Sequence, residues 1–401
     1  MQAAISDDIS PEIAIVRLRK GADHRLHLGH VWVFSNELQD GFQSLEPGQL
    51  VDVLDFRGSF LGRGAVNPHS LIAVRLFTRH AEAVDEAFLR ARIERAACLR
   101  EKLLAANAKV CRLVYSESDG LPGLIVDRFD DVLVLQSNTA GMDRLLPEVI
   151  EALINLFSPH AIVAANDAPV RELEGLALER KLVHGMLEGK VRFEQDGIIF
   201  LADPLGGQKT GFFLDQRCNR RLFASFVRPA DRVLDLFCYT GGFGVYALKA
   251  GAAHVTFVDA SESALSVARE AVEANGFSDR AEFVKADIFE MLKEPGDSFH
   301  MVILDPPALA RSRTKVPAAL RAYRDLNARA MARVAPEGIL ATASCSGLVH
   351  ADSWLESLRE ASHKSGRSLR IVARGSQSPD HPVLASMPET EYLKFAAGVV
   401  D

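Results

Sequence analysis

The first 80 residues alternate apolar and polar positions in short runs, at Ile13 to Leu18, Gln49 to Leu54 and Leu71 to Phe77, separated by Pro47-Gly48, Arg57-Gly58 and Asn67-Pro68. Short period-two runs between turn signals predict a small β-barrel. The period then changes. From Glu82 to Asn107, Phe88, Ile93, Ala97 and Leu104 recur on one face among Arg and Glu, which predicts an amphipathic helix. Strands are expected at Arg112 to Tyr115, Leu124 to Asp127, Val132 to Gln136 and Ala161 to Ala165, with a helix near Leu145 to Leu156. Val191 to Phe193 and Ile198 to Leu201 flank Gln195-Asp196-Gly197, and an Asp-Gly between two β-type runs is a hairpin signal. Beyond it, strands and helices alternate as in a doubly wound sheet. The expected fold class is α/β: a β-barrel over residues 1–80, a small α/β domain over 81–185, and a Rossmann-like sheet over 186–401.

Chemistry concentrates in the last of these. Arg232 to Phe237 is an apolar strand bearing Asp235, followed by Gly241, Gly242 and Gly244 and a helical Val245 to Ala250. Glycines at that point let the backbone approach a ligand at a helix N-terminus. Gly242-x-Gly244-x-x-Ala247 loosely fits a dinucleotide fingerprint, so the run alone leaves a dehydrogenase and a methyltransferase both open. The strand His254 to Val258 ends in Asp259, where a carboxylate can accept from both ribose hydroxyls. Ala281 to Lys285 is followed by Asp287, placed to reach an adenine amino group, and His300 to Leu304 ends in Asp305-Pro306-Pro307. Acids at successive strand ends lie on the carboxyl edge of the sheet, where ligands bind in such folds.

Pro306 and Pro307 fix the chain after their strand, so Asp305 and nearby carbonyls can present a rigid edge to a flat base. Cys345, in Ala343-Ser-Cys-Ser-Gly347, follows the strand Gly338 to Thr342 and borders the same crevice. A thiolate adding to C6 of a pyrimidine turns C5 into a carbon nucleophile. A lone cysteine between small residues is more often packing, but the strand-end position favours catalysis here. Cys238, in the glycine turn, is the rival nucleophile; Cys98, Cys111 and Cys218 fall in expected helices or strands and read as packing residues.

Charge and composition narrow the partners. A net charge of -7 argues against bulk affinity for nucleic acid, so any such contact must be local. Arg17, Arg19, Lys20 and Arg25 precede Trp32 and Phe34, which suits either a phosphate-tracking edge with aromatic support or a solvated strand edge over a core tryptophan. Arg311, Arg313, Lys315, Arg321, Arg324, Arg329 and Arg333 follow the proline turn, and Lys209, Arg217, Arg220 and Arg221 precede the first Rossmann-like strand. Such clusters beside the crevice suit a polyanionic substrate. Five cysteines without a CxxC pair support neither a disulfide framework nor a metal site. No apolar run approaches about 18 residues, and the acidic start Met1 to Asp8 lacks a basic signal-peptide head, so a cytoplasmic location away from membranes is expected.

Gln208-Lys-Thr-Gly-Phe-Phe-Leu-Asp-Gln-Arg217, Asp235-Leu-Phe-Cys-Tyr-Thr-Gly-Gly242, Asp305-Pro-Pro307, Ser344-Cys-Ser-Gly347 and Asp380-His-Pro382 together resemble the bacterial 23S ribosomal RNA cytosine-C5 methyltransferases. The last is expected to begin a closing hairpin running through Tyr392-Leu-Lys-Phe395. The resemblance covers nearly the whole chain and implies a PUA domain, a small α/β domain and a methyltransferase domain. It implies S-adenosylmethionine as donor, held by Asp235, Tyr239, Gly241, Gly242, Asp259, Asp287 and Asp305. It further implies Cys345 as nucleophile, Asp305 stabilising the base, and Pro306, Pro307, Arg217, Arg311, Arg313, Arg17 and Lys20 facing ribosomal RNA or a ribosomal particle. Ala308 stands where many such enzymes carry a second cysteine that helps release product, which leaves the releasing base open. Also open are methylation of a guanine or adenine amino group, a non-catalytic ribosome-assembly role, the modified nucleotide, and a homo-oligomer.

Overall fold

A computed structural model describes residues 13–401; the acidic run Met1 to Asp8 lies outside the described residues. The first sheet has five strands, in the order Ala14–Arg17, Leu50–Leu54, Phe60–Val66, Ile72–Thr78, Trp32–Phe34. The inner strand Phe60–Val66 escaped the alternation pattern because Gly62 and Gly64 interrupt it. Gly64 is required there, since a Cβ would lie 2.2 Å from the Arg75 carbonyl oxygen on the neighbouring strand. Val16, Val33, Val51, Val53 and Val74 form the core of this unit.

The long helix Glu86–Leu104 follows, capped by Asp85, whose carboxylate accepts from Phe88 N at 3.0 Å. It packs on a second five-stranded sheet ordered Glu179–Gly185, Ala161–Asn166, Val132–Ser137, Leu124–Phe129, Val110–Tyr115. Glu179–Gly185 is a largely exposed edge strand with no apolar alternation, and the sequence pattern accordingly gave no sign of it. The hairpin Val191–Gln195 with Ile198–Ala202 turns at Asp196 (φ 57°) and Gly197 (φ 72°), the left-handed pair that a tight two-residue hairpin requires.

The C-terminal sheet comprises β1 (Arg232–Leu236), β2 (His254–Asp259), β3 (Ala281–Lys285), β4 (Phe299–Leu304), β5 (Val334–Ser344), β6 (Leu369–Gly375) and β7 (Lys394–Val400). Their order is β3-β2-β1-β4-β5-β7-β6, parallel except for β7, which runs antiparallel between β5 and β6. Helices α1 (Gly242–Ala250), α2 (Glu262–Ala274), α3 (Val316–Met331) and α4 (Ala351–Ser365) cover it. Strand order reverses between β1 and β4, so their carboxyl ends diverge and open a crevice. The closing hairpin is β6 with β7; it begins at Leu369, and Asp380-His381-Pro382 lies inside its long loop rather than at its start. The sequence pattern missed β6 because it is an exposed edge with arginines between its apolar positions.

That loop fastens the C-terminal unit to the central one. Arg100 pairs bidentately with Asp119 at 2.7 and 2.8 Å and also donates to the Asp380 carbonyl at 2.8 Å. Asp380 accepts from Arg112 N at 2.9 Å, and Arg112 pairs with Asp127 at 2.7 and 2.8 Å. The Arg100, Asp119, Asp127 and Asp380 side chains are all buried. Breaking a buried pair strands the remaining charge. Arg100→Ala is therefore expected to cost about 3–5 kcal/mol, read as a lower denaturation midpoint in urea.

Candidate active site

The crevice contains a cavity of about 270 Å³. One wall is the loop after β1, where Phe237 (φ 60°), Tyr239 (φ 48°) and Gly241 (φ 80°) adopt left-handed conformations. Non-glycine residues held there carry strain that the surroundings must offset. Asp259 supplies part of that restraint: one carboxylate oxygen accepts from Tyr239 N at 2.9 Å, the other from Ser261 N at 2.9 Å. Tyr239 Oη in turn accepts from Gln208 N at 2.9 Å, tying the glycine turn to the Gln208 to Arg217 segment. A Cβ on Gly244 would lie 2.1 Å from the Phe257 ring and one on Gly242 2.5 Å from Arg220 Nε, so both positions exclude a side chain.

At this end two buried groups are uncommitted. Asp235 accepts from Gly244 N at 2.8 Å through Oδ2, while its Oδ1 has no partner. Burial pushes this carboxyl up to about 8. Arg220 lies 4.4 Å over the Phe212 ring and donates to the Phe213 carbonyl at 2.7 Å, yet its Nε and Nη1 have no partner. An acceptor oxygen and two guanidinium N–H groups match the ammonium and carboxylate of an amino-acid zwitterion, as the methionyl end of S-adenosylmethionine carries. The residues therefore fit that cofactor.

At the other end stand Asp305, Pro306, Pro307 and Cys345. Asp305 accepts from Gln216 Nε2 at 3.0 Å, and burial, reinforced by the charge of Asp215, pushes it up to about 7. Cys345 Sγ lies 3.8 Å from the Pro306 carbonyl oxygen. Burial pushes the thiol up to about 11, against the opposing charges of Lys209 and Lys394. Serines brace the two loops against each other. Ser346 Oγ accepts from Leu309 N at 3.0 Å and Ala310 N at 3.3 Å, and Tyr323 Oη bonds both Ser346 Oγ and Ser344 Oγ at 2.9 Å. Lys394 Nζ donates to the Ser346 carbonyl at 2.7 Å.

The fold thus gathers Tyr239, Gly242, Asp259, Asp305, Pro306, Pro307 and Cys345 around one cavity, with Gly241 at the N-terminus of α1, while Asp235 is buried against the Gly244 backbone and does not itself line the cavity. Asp287 is not brought there; it is exposed and caps the short helix Ile288–Met291 through Phe289 N and Glu290 N. Arg217 is a correction. It is fully buried and donates to the Val110 carbonyl of the central sheet, so it joins domains and is closed to RNA. Arg333 is likewise buried, donating to Met291 and Glu294 carbonyls. Arg311 and Arg313 are exposed beyond Pro307, and Arg17 and Lys20 are exposed on the N-terminal unit, none of them lining the cavity. Trp32 donates to Glu117 at 2.9 Å and Arg25 pairs with Glu37 at 2.7 Å, which commits the N-terminal aromatic group to internal contacts. Cys238 also lines the cavity, but burial and the charges of Asp235 and Asp259 drive its thiol well above the ordinary range.

Asp215, Gln216, Phe213 and Arg220 line the cavity without having been singled out for it by spacing. The Gln208 to Arg217 motif, taken whole, pointed to Phe213, Asp215 and Gln216, and Arg220 was marked only as a member of the basic cluster before β1.

The raised Asp305 has a consequence for stability. An unfolded carboxyl ionises near 4, whereas the folded one holds its proton to about 7, so the folded state loses stability as pH rises through that window. Asp305→Asn is expected to gain stability relative to the parent between about pH 5 and 8 and none from this source below about pH 4, as denaturation midpoints at several pH values would register.

Comparison with known proteins identifies the N-terminal and C-terminal domains. Residues 16–79 match the PUA-like domain family, and residues 181–395 match the family described as S-adenosylmethionine-dependent methyltransferase. The ribosomal RNA large subunit methyltransferase I of Pseudoalteromonas atlantica is 40% identical over 385 residues, covering 94% of this chain and 97% of the relative. The protein of the same name from Vibrio cholerae is 39% identical over 401 residues, covering 98% and 100%. A solved structure from Streptococcus mutans, assigned to the SAM-dependent methyltransferases, superposes with a TM-score of 0.82 at 18% identity, over 96% of this chain and 100% of that one. A second, a methyltransferase structure complexed with SAH, gives 0.82 at 19% identity, over 97% and 100%. With PUA-like and methyltransferase domains in sequence and full-length relatives of one name, the chain belongs to the S-adenosylmethionine-dependent methyltransferase family that includes the ribosomal RNA large subunit methyltransferases I.

Proposed function

We propose that this enzyme forms 5-methylcytosine in 23S ribosomal RNA through a covalent bond from Cys345 to C6 of the base. The observation that carries the reading is the pairing, in one cavity, of a thiol and a neutral carboxyl: Cys345 against the Pro306 carbonyl, and Asp305 with its proton retained to about 7. The names of the full-length relatives support the RNA substrate.

S-adenosylmethionine supplies an electrophilic methyl group when bound. Asp235 and Arg220 would hold its methionyl end, and Asp259, beside the glycine turn, would face the ribose. Binding of an ammonium beside Asp235 favours its ionised form, reversing the effect of burial.

Pro306 and Pro307 form the rigid edge on which the extruded cytosine rests. Neutral Asp305 donates to cytosine N3, an acceptor, whereas the corresponding nitrogen of uracil carries a hydrogen. As Cys345 adds to C6, that proton passes to N3 and C5 becomes able to take the methyl group. Lys209 and Lys394 raise the thiolate fraction by opposing the burial of Cys345. Exposed Arg311, Arg313, Arg17 and Lys20 contact the RNA backbone, where each lysine or arginine on a phosphate contributes to a salt-dependent affinity. Ribosomal RNA as substrate implies work in the cytoplasm, as part of ribosome maturation.

Incubation with methyl-labelled S-adenosylmethionine and undermodified large-subunit RNA is expected to label 5-methylcytidine alone. Cys345→Ala should abolish transfer while cofactor affinity, measured by calorimetry, stays within about threefold of the parent because the thiol is not a zwitterion contact. Label in a purine nucleoside, or turnover by Cys345→Ala, contradicts the assignment. Asp235→Asn removes one charge-assisted bond worth about 1.5–3 kcal/mol, so cofactor binding is expected to weaken roughly 10- to 100-fold.

A further inference from the structure

Ending the reaction requires a base at C5. Once the methyl group is in place, the remaining C5 hydrogen must leave as a proton before the sulfur can depart, and Ala308, after the proline turn, has no group to accept it. We infer that Asp215 is this base, a role that rests on the cytosine-C5 reading above.

The other charged side chains in and beside the cavity are unsuited. Asp305 holds its proton up to about 7 and already serves N3, and Asp235, raised to about 8, does not line the cavity. Both oxygens of Asp259 accept backbone N–H groups. Lys209 is a cation, which repels a proton.

Asp215 has the complementary properties. It lines the cavity with Asp305 and Cys345, and it also borders a second cavity of about 180 Å³ between the central and C-terminal units. The residue is 6% exposed, and Oδ1 is buried without a partner, while Oδ2 accepts from Tyr392 Oη. Burial alone would raise this carboxyl, but the charges of His381 and Lys209 and the Tyr392 hydrogen bond hold it below the ordinary range, so it remains an anion. Two carboxyl groups in one site, driven to opposite protonation states, divide into an acid and a base.

The step balances as follows. Asp215 Oδ1 takes the C5 proton, and the C5–H electron pair becomes the C5–C6 double bond. The bond from Cys345 Sγ to C6 breaks with its pair returning to sulfur, and N3 gives its proton back to Asp305. The products are 5-methylcytosine, a thiolate and a protonated Asp215 that solvent restores.

The test is Asp215→Asn with unmodified substrate RNA and methyl-labelled S-adenosylmethionine, resolved on a denaturing gel. Methyl transfer within the first turnover should persist, the labelled RNA should accumulate covalently bound to protein, and steady-state turnover should fall about 100-fold or more. Added formate should release the adduct from Asp215→Ala. Unchanged cofactor affinity certifies that each variant is folded, and Asp215→Ser, smaller and still able to accept from Tyr392, serves if Asn disrupts the site. Turnover within about threefold of the parent, or a slow variant that accumulates no methylated adduct, overturns the assignment. The underlying reading fails separately: the parent would then trap no adduct on 5-fluorocytidine RNA, whose C5 cannot lose a proton.

Discussion

Burial of two carboxyl groups beside one thiol is the constraint on which the rest of the site depends. In water Asp215 and Asp305 would both be anions near neutral pH, and neither could act as an acid. In the closed crevice the second charge is too costly, and local partners decide which group keeps its proton. Asp215 has Tyr392 and the charges of His381 and Lys209; Asp305 has a neutral amide, Gln216, and a neighbouring anion. The same low dielectric raises Cys345, so the site holds a protonated thiol at rest and depends on cationic neighbours to favour the thiolate.

Such a balance requires the groups to be held in place. The serines flanking Cys345 meet Tyr323 of α3 and the backbone after the proline turn, so the nucleophile loop and the base-binding edge move as one. Lys394, on β7, clamps the same loop from the other side. Farther out, the loop between β6 and β7 delivers Tyr392 to Asp215 and, through Asp380, docks on the central sheet. The lock between Arg100, Asp119, Asp380, Arg112 and Asp127 thereby fixes the element that holds the proposed base.

Much of this was legible from the chain because strand ends and turn residues carry strong local signals. The glycine turn, Asp259, the Asp-Pro-Pro turn and the position of Cys345 after a strand all follow from period and punctuation, and the switch point between β1 and β4 brings them together. Tertiary partners were not legible. Arg217 and Arg333 look like members of basic clusters in sequence, but an arginine buried on carbonyl oxygens is indistinguishable by spacing from one facing solvent. Asp215 and Arg220 sit between the hairpin and β1, where the sequence marks them only as members of a motif and of a basic cluster, and their unpaired atoms in the folded protein show their individual importance. The edge strands β6 and Glu179–Gly185 failed to register because exposed edges lack the alternation that reveals a half-buried strand.

The covalent bond proposed between Cys345 and the target base can be trapped directly. Protein incubated with cofactor and 5-fluorocytidine-substituted ribosomal RNA would be digested, and the nucleotide-bearing peptide identified by mass. A single modified peptide carrying Cys345 is expected, its mass increased by a methylated fluorocytidine residue. Attachment at Cys238, or complete methylation with no covalent species under denaturing conditions, would contradict it.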